Sequence, residues 1–196
     1  MPVINPISRR SVLARIAAAA MAGPLGLEAA QHVHEAAAAA ATATAGGLYK
    51  PKALTQHEFD TLKTLAEIIV PGASRGSAAE FIDLLSSQNP EMAAIYTGGI
   101  AWLDEEMKRQ YHADFLAAKA ELRTEMLDKI AYRKNRTAEL APGIVFFNWA
   151  RRMTVDAYYT SAAGIKEVGY IGNRARKEFT VPQEAIDYAV KRSPFA

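Results

Sequence analysis

The chain has 196 residues, 23 Lys and Arg against 21 Asp and Glu, a hydrophobic half, and no cysteine. So near-neutral a chain has no global field to draw in nucleic acid. Without cysteine it cannot hold a disulfide, an iron–sulfur cluster or a Cys-x-x-Cys-His haem.

The first segment reads as an export signal. Ser8-Arg9-Arg10-Ser11-Val12-Leu13-Ala14 sets two arginines before a soft apolar run, and Arg15 completes a positive start. Residues 16–27 are Ala-rich, mildly apolar and broken by Gly23, Pro24 and Gly26. A membrane span needs ~20 strongly apolar residues, so this is the apolar region of a cleavable twin-arginine signal. Its recognition residues are Ser8, Arg9, Arg10 and Leu13. Residues 36–47 hold several small-x-small triplets for cleavage, Ala41-Thr42-Ala43 among them. The competing reading is an ordinary Ala-rich helix, because Ala, Leu and Met favour helix unaided. The expected division is 1–45 as signal and cleavage region, outside the fold, and 46–196 as one domain. Leaving out Arg9, Arg10, Arg15, Glu28 and Glu35, 20 basic and 19 acidic side chains remain. A domain of this size buries roughly two-thirds of its unfolded surface.

Residues 46–53 form a short extended lead-in. Thr55-Gln56-His57-Glu58 is a capping box, and Phe59, Leu62, Leu65, Ala66 and Ile69 share one helix face behind it. Pro71-Gly72 ends that helix. Ser77-Ala78-Ala79-Glu80 repeats the capping-box pattern before a shorter helix bearing Phe81, Leu84 and Leu85. Pro90 suits a first helical position. Met92, Ile95, Tyr96, Ile100, Leu103 and Met107 follow at helical spacing, interrupted by Gly98-Gly99, which reads as either a tight helix contact or a break. Asp114 is placed to cap a fourth helix carrying Phe115, Ala118, Leu122, Met126 and Ile130. Residues 132–139 are charged and solvated. Pro142 opens a fifth helix, with Phe146, Phe147, Trp149 and Met153 read as core. Gly164, Gly169 and Gly172 mark a loop, and 182–190 a brief tail helix. No stretch alternates with period two, so the expected fold is all-α: a single helical bundle of about five helices with a Gly/aromatic C-terminal loop.

Chemistry-bearing motifs are missing. There is no G-x-G-x-x-G, no G-x-x-x-x-G-K-[ST] and no H-E-x-x-H, the patterns that cradle a dinucleotide, a nucleoside phosphate or zinc. Neither His57 nor His112 has a Glu three residues before it, as a di-iron bundle requires. Asp104-Glu105-Glu106 are adjacent on a helix, point to different sides, and read as a solvated acidic face. His57 is expected to be exposed at a helix start, and His112 to serve as a cap or dipole partner at a helix end. No residue is assigned a catalytic, cofactor-binding or metal role. The unusual stretch is 146–173. Adjacent tyrosines on a helix cannot both face inward. Tyr158, Tyr159, Ser161, Gly164, Gly169, Tyr170, Gly172 and Asn173 suit either a protein interface or a packed loop covering the bundle.

Two blocks carry a resemblance. Met153-Thr154-Val155-Asp156-Ala157-Tyr158-Tyr159-Thr160-Ser161, followed by Gly164-Ile165-Lys166-Glu167-Val168-Gly169-Tyr170-Ile171-Gly172-Asn173, resembles the C-terminal signature of the gluconate 2-dehydrogenase subunit 3 family. Leu54-Thr55, Leu62, Leu65-Ala66, Ile68-Ile69-Val70-Pro71 and Glu80-Phe81-Ile82-Asp83 resemble its N-terminal block. The resemblance covers most of 54–173. Two features depart from it: the loop at 72–76 is short where the family has a longer acidic one, and Ala157 stands where glycine is common. The resemblance implies a small accessory subunit without a cofactor of its own. It implies a large flavoprotein partner of the glucose–methanol–choline type holding FAD, and in many such complexes a multihaem cytochrome subunit holding haem c. It further implies that Arg9 and Arg10 engage the twin-arginine translocase on the partner's behalf, and a periplasmic location on the inner membrane through the complex. The alternatives are a stand-alone exported enzyme and an exported helical binding module with no dehydrogenase partner.

Overall fold

Thr55 starts the first bundle helix as its sequence dictates. Its hydroxyl accepts the Glu58 N–H at 3.3 Å, and the Glu58 carboxylate accepts the Thr55 N–H at 2.7 Å, so two orphan donors are satisfied reciprocally. The computed structural model describes residues 23–42, 49–172 and 180–193; Ser8, Arg9, Arg10, Leu13 and Asn173 lie outside them. In chain order the helices are α1 (Gly23–Thr42), α2 (Gln56–Ile69), α3 (Ala78–Gln88), α4 (Pro90–Tyr111), α5 (Ala120–Ile130), α6 (Ala141–Thr160), α7 (Ala162–Glu167) and α8 (Gln183–Arg192). Short 3-10 turns at Ala73–Gly76 and Arg133–Asn135 complete the set, and the described residues contain no strand. The all-α expectation holds. No helix among the described residues is long and apolar enough to cross a membrane.

Helix α6 is the hub, touching α1, α2, α3, α4, α5 and α7. The core between these helices is fully dry at Leu62, Leu65, Ile82, Tyr96, Ile100, Leu103, Met107 and Ile144. Asn89 opens α4 by accepting the N–H groups of Glu91 and Met92, both at 3.1 Å, with Pro90 in the first turn. Pro142 likewise sits in the first turn of α6. Both starts follow from local chemistry, because Asn caps and Pro lacks the N–H that a first turn leaves unpaired.

Two local expectations are corrected, and the two readings of Gly98-Gly99 are resolved. Ser77 makes no side-chain cap; it takes a left-handed conformation, φ 50°. The 3-10 turn at 73–76 runs directly into α3, so Ser77 closes one element while opening the next. Asp114 does cap, but it caps the turn before α5. Its carboxylate accepts the Ala117 N–H at 2.8 Å, and the helix begins only at Ala120. Gly98-Gly99 does not break α4. A Cβ on Gly99 would sit 2.0 Å from the Phe146 ring, whereas one on Gly98 would meet nothing within 4 Å. Gly99 therefore lets α4 and α6 approach.

The Ala-rich stretch expected outside the fold forms α1, which rests on α3 and α6. Ala37 is buried, while Ala30 and Val33 pack against the core. The His34 ring lies 4.6 Å from Phe81, and its Nε2 is 3.1 Å from the Thr160 hydroxyl. Small side chains allow this close approach.

Asp83 on α3 has no solvent exposure. Its carboxylate accepts the N–H groups of Lys52, Ala53 and Leu54 at 2.7, 3.0 and 2.9 Å, and the Tyr49 hydroxyl at 2.8 Å. Tyr49 also stacks on Phe59, with ring centroids 5.5 Å apart. The extended lead-in is thereby strapped to the bundle.

Asp83→Ala is expected to lower stability by roughly 3 kcal/mol, because it orphans one buried and three partly buried donors at once; urea unfolding checks this. Gly99→Ala is expected to cost about 1–3 kcal/mol by overpacking. Gly98→Ala is expected to gain roughly 0.5–1 kcal/mol. Opposite shifts in melting temperature for neighbouring glycines are the readout.

Candidate functional site

The carboxylates inside this domain are each tied to internal donors. Asp104, almost buried, stands 2.6 Å from His57 Nε2 and accepts the Phe115 N–H at 3.0 Å. Glu106 receives a two-pronged contact from Arg109, Nε at 2.8 Å and Nη2 at 2.5 Å, and a further bond from Gln110. Glu105 pairs with Lys108 at the surface. The expectation of a solvated acidic face is thus corrected for two of its three members. Adjacent residues do point apart: Asp104 turns toward His57 and Phe115, while Glu106 is buried and bonded to Arg109 and Gln110 of its own helix.

His57 is exposed at the helix start as expected, and its Nε2 also meets the Asp104 carboxylate. The Asp104 carboxylate holds its imidazolium above the ordinary histidine value, with smaller help from Asp114 and Glu58. Arg109 holds the Glu106 carboxyl below the usual range. His112 ends α4 as expected, in a left-handed conformation with its N–H on the Lys108 carbonyl at 3.0 Å. Among the described residues no group of three or more His, Asp or Glu is arranged to hold a metal ion.

The C-terminal block divides into two sets. Tyr158 is fully buried. Its hydroxyl donates to Glu167 at 2.5 Å and accepts from Arg75 at 2.9 Å, while Arg75 and Glu167 pair at 3.0 Å. Glu167 and burial together push the Tyr158 hydroxyl above its ordinary value. This triad joins the 73–76 turn, α6 and α7. Ser161, also buried, caps α7 by accepting the Gly164 N–H at 3.2 Å and donates to the Tyr158 carbonyl at 2.6 Å. A Cβ on Gly164 would fall 2.1 Å from that carbonyl oxygen. Tyr158, Ser161 and Gly164 are therefore internal supports.

The second set is on the surface. Tyr159 is exposed with its ring edge-on to Tyr158, centroids 5.1 Å apart. Gly169 and Gly172 take positive φ, 65° and 76°, and around them Val168, Tyr170 and Ile171 are exposed. One tyrosine points in and one out, as adjacency on a helix requires. What remains on the surface of the expected set is Tyr159, Gly169, Tyr170 and Gly172, and Val168 and Ile171 are exposed beside them.

Trp149, read from sequence as core, is 39% exposed. Phe146, Phe147 and Ala150 take the inward positions of α6 and leave Trp149 outside. The outward-facing run around it went unnoticed in the sequence. The signal that could have found it is the density of arginine at 133, 136, 151 and 152.

The family model described as gluconate 2-dehydrogenase subunit 3 matches residues 56–176. No curated protein and no solved structure matches the chain.

A histidine whose folded pKa is raised stabilises the fold fully below its unfolded pKa, near 6.5, and loses that contribution as pH rises through the folded value. Wild type is therefore expected to exceed His57→Gln in stability at pH 6 by up to about 1 kcal/mol, the range of a half-exposed pair. The gap is expected to close on the alkaline side, and denaturant midpoints measured across pH report it.

Proposed function

We propose, from the premise that the chain belongs to the gluconate 2-dehydrogenase subunit 3 family, that it is a non-catalytic subunit that escorts and stabilises a flavin-dependent catalytic partner during twin-arginine export. As a member of that family it is a subunit of a dehydrogenase complex. The partner is a large flavoprotein of the glucose–methanol–choline type holding FAD, joined in some complexes by a multihaem cytochrome c. The assembly sits in the periplasm against the inner membrane. Arg9 and Arg10 address the whole complex to the twin-arginine translocase.

The observation that carries this reading is the reach of the family match, from the first turn of α2 past the exposed C-terminal block. That block supports a docking role on physical grounds. Val168, Tyr170 and Ile171 are all exposed within four residues, and clustered exposed apolar side chains on a soluble domain mark an interaction site. They follow the Tyr158–Arg75–Glu167 triad, which fixes where the segment leaves the bundle. The reading also accounts for an address used by folded cargo on a chain with no nucleotide or metal motif of its own.

Replacing Arg9 and Arg10 by Lys is expected to abolish flavin-dependent sugar or polyol dehydrogenase activity outside the cytoplasm, while active flavoprotein stays inside. Export of active flavoprotein at the wild-type level by the double variant would sink the escort role.

A further inference from the structure

We propose that the outward face of α6 from Val145 to Arg152, together with the Arg133–Asn135 turn, is a docking groove for an acidic segment of the partner dehydrogenase subunit. This rests on the accessory-subunit reading above and adds a second, electrostatic contact to it.

The groove is a recess of about 530 Å³ whose lining includes Arg133, Arg136, Arg151, Arg152, Trp149 and Val145, and no carboxylate. All four arginines are exposed. None takes part in an ion pair among the described residues. The contact of Arg151 with Asn148 at 3.1 Å is to a neutral amide. Three arginines elsewhere in the bundle are satisfied internally. Arg75 meets Glu167, Arg109 meets Glu106, and Arg123 donates to the carbonyls of Ala118 and Leu116. The recess therefore gathers four like charges with no carboxylate among them, in a chain whose total charge is nearly balanced. Such a cluster is self-repelling until an anion enters.

Aromatic rings lie beside two of the four guanidiniums. Arg152 lies 5.9 Å from the centroid of Trp149 and Arg151 6.0 Å from that of Phe147. A ring beside a guanidinium restrains it without using up its donors, so N–H groups remain for a carboxylate, which guanidinium binds in bidentate fashion. Trp149 and Val145 put exposed apolar surface among these charges. Arg151 also lines an adjoining recess of about 300 Å³ with Ile68, Leu127, Tyr132 and Phe147, where Asp128 is the one carboxylate of the lining.

These features select a polypeptide carrying Asp or Glu beside apolar residues. A single small anion would leave most of the recess empty, since volumes of this order accommodate ligands of many atoms. A bilayer presents its phosphates on a plane, whereas these guanidiniums line a recess. Arginine and tryptophan are also the residue types that dominate protein–protein binding energy.

The test uses the full chain co-expressed with its dehydrogenase. Trp149 is replaced by photoreactive benzoylphenylalanine, the native complex is irradiated, and the adduct is mapped by mass spectrometry. The expected adduct lies in an Asp/Glu-bearing segment of the flavoprotein. Arg151→Glu with Arg152→Glu is expected to lower the flavin retained per small subunit roughly tenfold or more and to flatten its salt dependence. Arg133→Glu with Arg136→Glu, across the groove, gives the same result if the first pair fails to fold by circular dichroism. An adduct on lipid or on a second copy of this chain overturns the inference, as does no adduct, or charge-reversed chains that retain flavin normally. If wild type itself retains no flavoprotein, the accessory reading fails and takes this one with it; a wild-type complex that survives charge reversal overturns this inference alone.

Discussion

The arrangement of the bundle depends on one buried carboxylate. Asp83 has no contact with solvent, and a lone charge in that position would be strongly unfavourable. It is tolerated because three successive backbone N–H groups and a phenol converge on its two oxygens. Its last donor, Leu54, immediately precedes the cap residue Thr55, so the same carboxylate that strands the lead-in against α3 also sets where α2 begins. With α2 placed, His57 in its first turn reaches Asp104 on α4. With α4 placed, Gly99 admits the Phe146 ring and fixes α6. At the far end of α6, Tyr158 meets Arg75 and Glu167 and settles α7. The C-terminal surface thus inherits its position through a sequence of specific polar and steric contacts that begins at Asp83.

Helix α6 serves both the core and the surface by splitting its faces. Ile144, Phe146, Phe147, Ala150, Thr154, Ala157 and Tyr158 are buried, while Val145, Trp149, Val155 and Tyr159 are exposed along with Arg151 and Arg152. A helix packed on this many neighbours is a rigid mount, and side chains on rigid elements are displayed with less uncertainty of geometry than those on loops. The arginine groove along its first and middle turns and Tyr159 near its end are therefore held in fixed relation to each other.

Much of this was legible in the sequence where the cause is local. Thr55, Asn89-Pro90 and Pro142 set helix starts through bonds spanning three residues or fewer, and each helix begins where its cap or proline places it. Ser77 misled because a 3-10 turn abuts α3, and nothing in Ser-Ala-Ala-Glu encodes what precedes it. Asp104 misled because its partner His57 is 47 residues away; Glu106 is held by Arg109 and Gln110 on its own helix, a local pairing its acidic neighbours obscured. Trp149 sits among apolar neighbours at 146, 147 and 150, so spacing alone could not say which face of α6 turns inward. For Tyr158 and Tyr159 adjacency required one in and one out; the choice rests on Arg75, 83 residues away.

Helix α1 shows why composition and packing gave different pictures of the same residues. An alanine face lets a helix come close, yet each alanine buries little apolar area, and burial stabilises at only about 25 cal/mol per Å². Contact through Ala30, Val33, Ala37 and His34 is therefore close but weak for its length. Burial pushes the His34 imidazole below its ordinary value, so the docked helix favours the neutral ring, and its contribution is present above the ordinary histidine range and lost on acidification. Thr160, the partner of His34, directly follows Tyr159. The segment downstream of Arg9 and Arg10 thus rests beside the same end of α6 that presents an exposed aromatic, held by forces small enough that losing it would leave the Asp83 framework intact.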